Sequence, residues 1–244
     1  RYLQREYEHL LTVDFVCQGA PSPGVLRLYL KETIESFVQK KKKKFSFASS
    51  RIPHIPTADV VAAKAGFAIS DIRFRDKREG WKKYSFALSL SKARAAGEQN
   101  TVSLSSIYTD NPFMQVFLAD YSLRPSCYAC PAKSLKSGSD LTLGDFWGIE
   151  HIAPSLDDDR GVSLLMVNTD KGAQWMAQIA VNLYEEAYTA VLSYNPSICQ
   201  SVTCPPKRKF FFALQKRVGF RRAWTGTVGH ALFWRVLRKM YQML

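Results

Sequence analysis

The chain has 244 residues, enough to bury a real core and to form one large domain or two small ones. With 46% hydrophobic and 23% charged residues it has the balance of an ordinary soluble globular protein. No run of eighteen uncharged apolar residues and no secretory signal stands in the sequence, which argues against a membrane-spanning helix and an exported chain. The net charge of +13 is unevenly placed: no Asp or Glu follows Glu186, and Lys207, Arg208, Lys209, Lys216, Arg217, Arg221 and Arg222 lead into a basic end. A basic end can meet nucleic acid, anionic lipid, an acidic partner protein or a phosphorylated cofactor, and charge alone does not choose among them.

The elements follow in chain order. Thr12 to Cys17 is a short apolar run that reads as a buried strand. Ser22 can cap a helix with Pro23 at its first position, so a helix is expected to about Gln39. The lysine run Lys40 to Lys44 and the Ser- and Pro-containing stretch to Thr57 read as a solvated helix end and loop. A short helix is expected within Asp59 to Ala68. Ile69 to Arg75 and Tyr84 to Leu90 alternate and make a hairpin around the charged loop Asp76 to Trp81. Asn111 to Tyr121 is a helix with Pro112 at its first position. Asp140 to Gly144 and Val162 to Asn168 are strands, Ala173 to Ala190 reads as one amphipathic helix, and Gly229 to Leu244 as a last helix with an apolar side. That last helix suits docking on its own domain or a partner, or contact with a membrane surface. The order predicts an α/β (mixed α+β) fold, a mixed β-sheet with helices packed on it.

Five cysteines stand at 17, 127, 130, 199 and 204, an odd number without the spacing of a disulfide framework. Without an export signal the expected setting is a reducing cytoplasm, where clustered cysteines mean metal or catalysis more often than disulfides. Cys127-x-x-Cys130 can turn two thiolates toward one metal centre, and Pro131 follows as in ferredoxin runs. Zinc knuckles and redox dithiols share this spacing. The pair does not open a helix after a strand, which weighs against thioredoxin chemistry, and no second close pair supports structural zinc. Cys17 raises the count of ligands to three. Arg73, Arg75, Lys77, Arg78, Lys82 and Lys83 surround Trp81, a set that suits a phosphorylated planar cofactor as well as a solvated loop. Asp145-Phe146-Trp147-Gly148 follows a strand, where ligand loops of α/β proteins lie, and reads equally as a turn with two core aromatics. Asp157-Asp158-Asp159 reads as a solvated loop. No dinucleotide fingerprint, Walker motif, nucleophile elbow or zinc-protease motif is present.

Taken in order, CQGAPSP, IRFRDKREGW, RPSCYAC, SDLTLGDFWGI, DDDRGVSLLMVNTDKG and PPKRKFFF resemble the coenzyme F-420 hydrogenase/dehydrogenase beta-subunit family, over roughly Val13 to Phe212. The resemblance implies an iron–sulfur flavoprotein oxidoreductase that passes electrons between a ferredoxin-like centre, FAD and a second, small-molecule acceptor, the deazaflavin coenzyme F-420 or another. By position Cys17, Cys127 and Cys130 match cysteines of the family that hold a 4Fe-4S cluster. The chain opens on Arg1 in mid-pattern, so an N-terminal ferredoxin part is expected to be missing, together with an upstream cysteine as the fourth ligand. The resemblance places FAD against Arg75, Lys77, Gly80 and Trp81, with Asp145 and Trp147. It divides the chain into 1–212, the family-like domain, and 213–244, a basic amphipathic tail that suits an acidic ferredoxin-like donor or partner redox subunit. Two other readings stand beside it. One is a non-catalytic or accessory subunit in bacterial surface-polysaccharide biosynthesis. The other is a nucleic-acid binder, which ranks last because no recognition motif supports it.

Overall fold

The computed structural model describes residues 7, 9–41, 58–64, 66–93 and 99–229. In chain order the elements are β1 (Val13–Phe15), α1 (Pro23–Lys41), α2 (Ala58–Lys64), β2 (Ala68–Asp76), β3 (Ser85–Ala93), β4 (Gln99–Ile107), α3 (Pro112–Leu118), β5 (Leu141–Asp145), α4 (Ile149–Ile152), β6 (Ser163–Val167), α5 (Asp170–Met176), α6 (Tyr188–Tyr194), α7 (Arg208–Val218) and α8 (Phe220–Trp224). They divide into two compact units, Arg1–Ala20 with Arg124–Thr203, and Pro21–Leu123 with Cys204–Leu244. The α/β class holds, with the strands in two three-stranded sheets, one for each unit. No helix among the described residues is long and apolar enough to cross a membrane.

The first unit is built on the sheet β1-β5-β6, in which β1 runs parallel to β5 and β6 antiparallel to it. Phe146, Ile149, Leu164, Val191 and Ile198 form its small core. Asp140 locks the start of the sheet. Its carboxylate accepts from the amide and hydroxyl of Thr12 at 2.9 and 2.7 Å and from the hydroxyl of Thr169 at 2.8 Å, and it pairs with Lys171 at 3.3 Å. Burial pushes this carboxyl up, but the bonds from Thr12, Thr169 and Lys171 outweigh it and hold Asp140 below the usual carboxylate range.

A depressed folded-state pKa means stability that is present above the unfolded value of about 3.9 and is lost as pH falls below it. Asp140→Asn, which cannot titrate, is expected to cost about 1–3 kcal/mol at neutral pH. It is also expected to flatten the fall of stability in acid. Urea unfolding from pH 7 to pH 3 reads both effects, and equal acid slopes in the two proteins would refute the assignment.

The second unit is built on the antiparallel sheet β2-β3-β4, with α1, α3, α7 and α8 contributing to a larger core of Val25, Tyr29, Ile34, Phe86, Phe113, Phe211 and Phe220. Burying one such phenylalanine contributes about 2–3 kcal/mol. Asn111 is 1% exposed, and its side chain makes four hydrogen bonds. Its Oδ1 caps α3 by accepting from the amides of Phe113 and Met114, and its Nδ2 donates to Tyr29 Oη and Ser106 Oγ, both at 2.8 Å. Glu32 caps the start of α8, accepting from the amides of Phe220 and Arg221 at 2.6 and 2.9 Å.

Three expectations change, and one strand is added. The strand after Thr12 does not bury its apolar residues: Val13 and Phe15 are 43% and 68% exposed, and the side chain between them, Asp14, faces inward. The stretch 99–107 is a strand, although its serines hid the alternation: Thr101, Ser103 and Ser105 are exposed while Val102 and Leu104 are half-buried. Residues 173–190 are not one helix. Helix α5 ends at Met176 and α6 begins at Tyr188. Ile179, Val181 and Leu183 between them alternate with period two, which a helix would scatter around its circumference, and packing rather than propensity holds a helix together. Residues 213–229 pack into the second unit through Phe220, Ala223 and Val228 rather than standing apart as a tail. Most of the lysine run, the stretch to Thr57 and the helix expected after Gly229 lie outside the described residues.

Candidate functional site

In the first unit the chain leaves β1 just before Cys17, after the amide of Val16 donates to the Leu143 carbonyl at 2.7 Å. The parallel pairing of β1 with β5 puts Asp145, the last residue of β5, and Cys17, two residues past β1, at the carboxyl ends of adjacent strands, the usual position for ligands in α/β sheets. Cys127 and Cys130 belong to a 3-10 turn over Pro125–Ala129, with Cys130 as its last flanking residue. Residues three apart eclipse in a 3-10 turn, which explains why this Cys-x-x-Cys points one way.

All three cysteines line one cavity of about 80 Å³, together with Asp14, Lys133 and the apolar side chains of Leu135, Met166 and Ile198. Cys17 is exposed and the other two are half-buried. The amide of Ala20 donates to Cys127 Sγ at 3.3 Å. The amide of Cys130 donates to Ser201 Oγ at 2.9 Å. Lys133 Nζ donates to the carbonyls of Cys17, at 2.6 Å, and Ser197, so one ammonium ties the Cys17 loop to the turn at 196–198.

Drug-sized ligands take about 300–1,000 Å³, so the cysteine cavity is too small for a flavin. Three thiols, a hydrogen bond to sulfur and a compact space fit a small inorganic group. Among the described residues no group of three His, Cys, Asp or Glu side chains is arranged to hold a metal ion. A cubane takes one thiolate for each of its four irons, and the three cysteines supply three of the four.

The loop expected to hold FAD lies in the second unit. Asp76, at its start, is buried and accepts from the amide and Nε of Arg78 at 3.2 and 2.9 Å; the Arg78 hydrogen bond holds its carboxyl below the usual range. Gly80 closes the loop at φ 97°, with its amide on the Lys77 carbonyl. Trp81 is 7% exposed, with the Arg75 guanidinium 4.9 Å and the Lys77 ammonium 4.6 Å from its ring centre. The indole already holds two cations of its own, each such contact contributing about 0.5–2 kcal/mol. The loop therefore offers Arg75 and Lys77 to an anion, while stacking on Trp81 requires one of them to move. Asp145 and Trp147 belong to the first unit and are not among the residues that line the cysteine cavity. Trp147 is 42% exposed, and its carbonyl accepts from Asn195 Nδ2 at 3.1 Å. Cys199 packs against the small core, 3.8 Å from Tyr188 Oη, whereas Cys204 is exposed in the second unit.

Sequence reasoning missed Asp14, Lys133 and the Ala20 amide. Alternation along β1 carried the only available signal, since a strand that shows Val13 and Phe15 to one side must turn Asp14 to the other. No curated protein and no solved structure matches the chain. A family model does, over residues 2–191, described as the C terminus of the beta subunit of coenzyme F420 hydrogenase/dehydrogenase. With the match spanning most of the sequence, including the three cysteines and the basic loop at Trp81, the chain belongs to that family.

Proposed function

We propose that this chain is an iron–sulfur flavoprotein subunit that passes electrons between a ferredoxin-like donor or partner redox subunit, FAD, and a small-molecule acceptor, the deazaflavin coenzyme F-420 or another. The observation that carries the reading is the convergence of Cys17, Cys127 and Cys130 on one cavity, with an amide donating to one of the sulfurs. A 4Fe-4S cluster supplies one-electron chemistry and FAD converts it to hydride chemistry.

The chain's own groups hold and tune. The three cysteines would hold the cluster, and the Ala20 amide, which donates to Cys127 Sγ, would orient that ligand. Lys133 fixes the Cys17 loop and adds positive charge to the cavity wall. Arg75 and Lys77 answer the flavin's phosphates, with their side chains exposed on the loop. The exposed Lys207, Lys209, Lys216, Arg217, Arg221 and Arg222 give a cationic surface that suits an acidic electron donor, with association that weakens as salt is added.

The full-length protein purified without oxygen tests the reading through its visible absorption and its EPR spectrum before and after reduction. A flavin band with a reducible cluster signal is the expected result. A folded protein that shows neither, even after reconstitution with FAD, iron and sulfide, sinks it.

A further inference from the structure

The second unit carries a strongly charged surface that electron transfer does not by itself explain. From Lys207 to Arg222 there is no Asp or Glu. Along α7 the exposed side chains are Lys209, Phe210, Ala213, Lys216, Arg217 and, at its last residue, Val218. At about 3.6 residues per turn, Lys209 to Arg217 in this set fall within about 120° of arc, one side of the helix. Phe211, on the opposite side, is fully buried against Tyr121 and Phe220. Arg221 and Arg222 follow on α8 and are exposed too. Among the described residues no carboxylate pairs with Lys209, Lys216, Arg217, Arg221 or Arg222. Glu32, the carboxylate at the start of α8, is taken up by the amides of Phe220 and Arg221.

Charge alone fits an acidic protein, a nucleic acid or a lipid headgroup, and Phe210 separates them. Its ring is 51% exposed on the cationic side of α7, where water is a poor neighbour, and Val218 is 41% exposed at the end of the helix. At a bilayer surface both kinds of group are satisfied at once: cations meet the headgroups and an aromatic ring sinks to the acyl boundary. The sequence beyond the described residues keeps the same composition, with Phe233, Trp234 and Leu237 among Arg235, Arg238 and Lys239 and no acidic residue. We propose that this side of α7, with Arg221 and Arg222 of α8, docks on an anionic lipid bilayer, with Phe210 inserted at the boundary of headgroups and acyl chains. The proposal goes beyond the redox reading: it stands on charge and exposure in the second unit and needs neither cluster nor flavin. An acidic donor that uses the same cations then competes with the membrane for them.

The test is co-sedimentation of the full-length protein with vesicles of phosphatidylcholine alone and of phosphatidylcholine with phosphatidylserine in equal parts. Binding to the anionic vesicles is expected to exceed that to the neutral ones by more than about tenfold and to fall as salt is added. Lys216→Gln combined with Arg217→Gln is expected to lower it by on the order of tenfold or more, each cation near an anionic surface being worth roughly fivefold. Phe210→Ala is expected to lower it by about fivefold while leaving the salt dependence unchanged. All three side chains are exposed, so the variants keep the wild-type melting temperature. Wild-type protein that stays in solution beside the anionic vesicles, or that binds neutral ones equally, overturns the proposal. Undiminished binding of the Lys216 and Arg217 double variant moves the contact to another basic stretch, the lysine run included, and overturns it too. Phe210→Ala with undiminished binding leaves charge as the only attraction and hands the surface to an acidic protein or a nucleic acid.

Discussion

Changing Cys127 and Cys130 together to serine is expected to cut bound iron by more than about tenfold and to abolish the reducible EPR signal, while the protein stays folded. Both positions are half-buried on a 3-10 turn, held by backbone bonds that serine leaves alone: the Cys127 amide to the Arg124 carbonyl at 3.0 Å and the Cys130 amide to Ser201 Oγ. Serine nearly matches cysteine in volume, so the cost to stability is expected to stay within about 1 kcal/mol. Iron analysis, EPR and a thermal melt on the same sample separate the possibilities. Full iron in the double variant means that these cysteines are not ligands. Collapse of the fold means that they are structural. A folded, iron-free variant that still supports the cell moves the weight to the accessory-subunit reading.

Gly148→Ala is expected to be the most damaging small substitution near the candidate site. Gly148 is buried at φ 84°, in the left-handed region, at the start of α4. A Cβ there would lie 2.1 Å from Cγ of Tyr194, 2.5 Å from its Cδ1 and 2.6 Å from its Cβ. The left-handed backbone and the forced repacking together cost about 2–5 kcal/mol. In a domain of this size that lowers the melting temperature by on the order of 5–15 °C. Tyr194 also stacks on His151, at 5.3 Å between ring centres, so the shift spreads through α4. Combining Gly148→Ala with Tyr194→Ala removes two of the three close contacts and is expected to recover part of the loss. Melting temperatures that fall additively in the double variant would rule out the clash as the cause.

Local signals in the sequence served well where backbone rules dominate. Pro23 at the start of α1, Asn111 before Pro112 at α3, and the alternating strands around the loop at Gly80 each needed only neighbours a few residues away. The Cys-x-x-Cys pair was legible for the same reason. What escaped depends on partners far along the chain. The Ala20 amide reaches Cys127 across 107 positions and Lys133 reaches the Cys17 carbonyl across 116, and no short window carries such pairs. The side of β1 that turns inward is set by its pairing with β5, and hydrophobicity alone pointed Val13 and Phe15 the wrong way. The segment 178–187 misled because its composition is that of a helix while its apolar residues find no cover, and exposure is a property of the folded unit rather than of the string of letters.

The unit that carries the cysteine cavity is written in two pieces of sequence, Arg1–Ala20 and Arg124–Thr203, with more than a hundred residues of the other unit between them. During synthesis Cys17 therefore emerges long before Cys127, Cys130 and Ser201, a delay of about 5–20 s to the cysteines and about 10–40 s to Ser201 at ribosomal rates. Over that interval its thiol has no partner of its own cavity beside it. The second unit's hairpins close between sequence neighbours and have no such wait. Assembly of the cavity thus waits on a stretch of chain far from Cys17, whose thiol has meanwhile been open to oxidation.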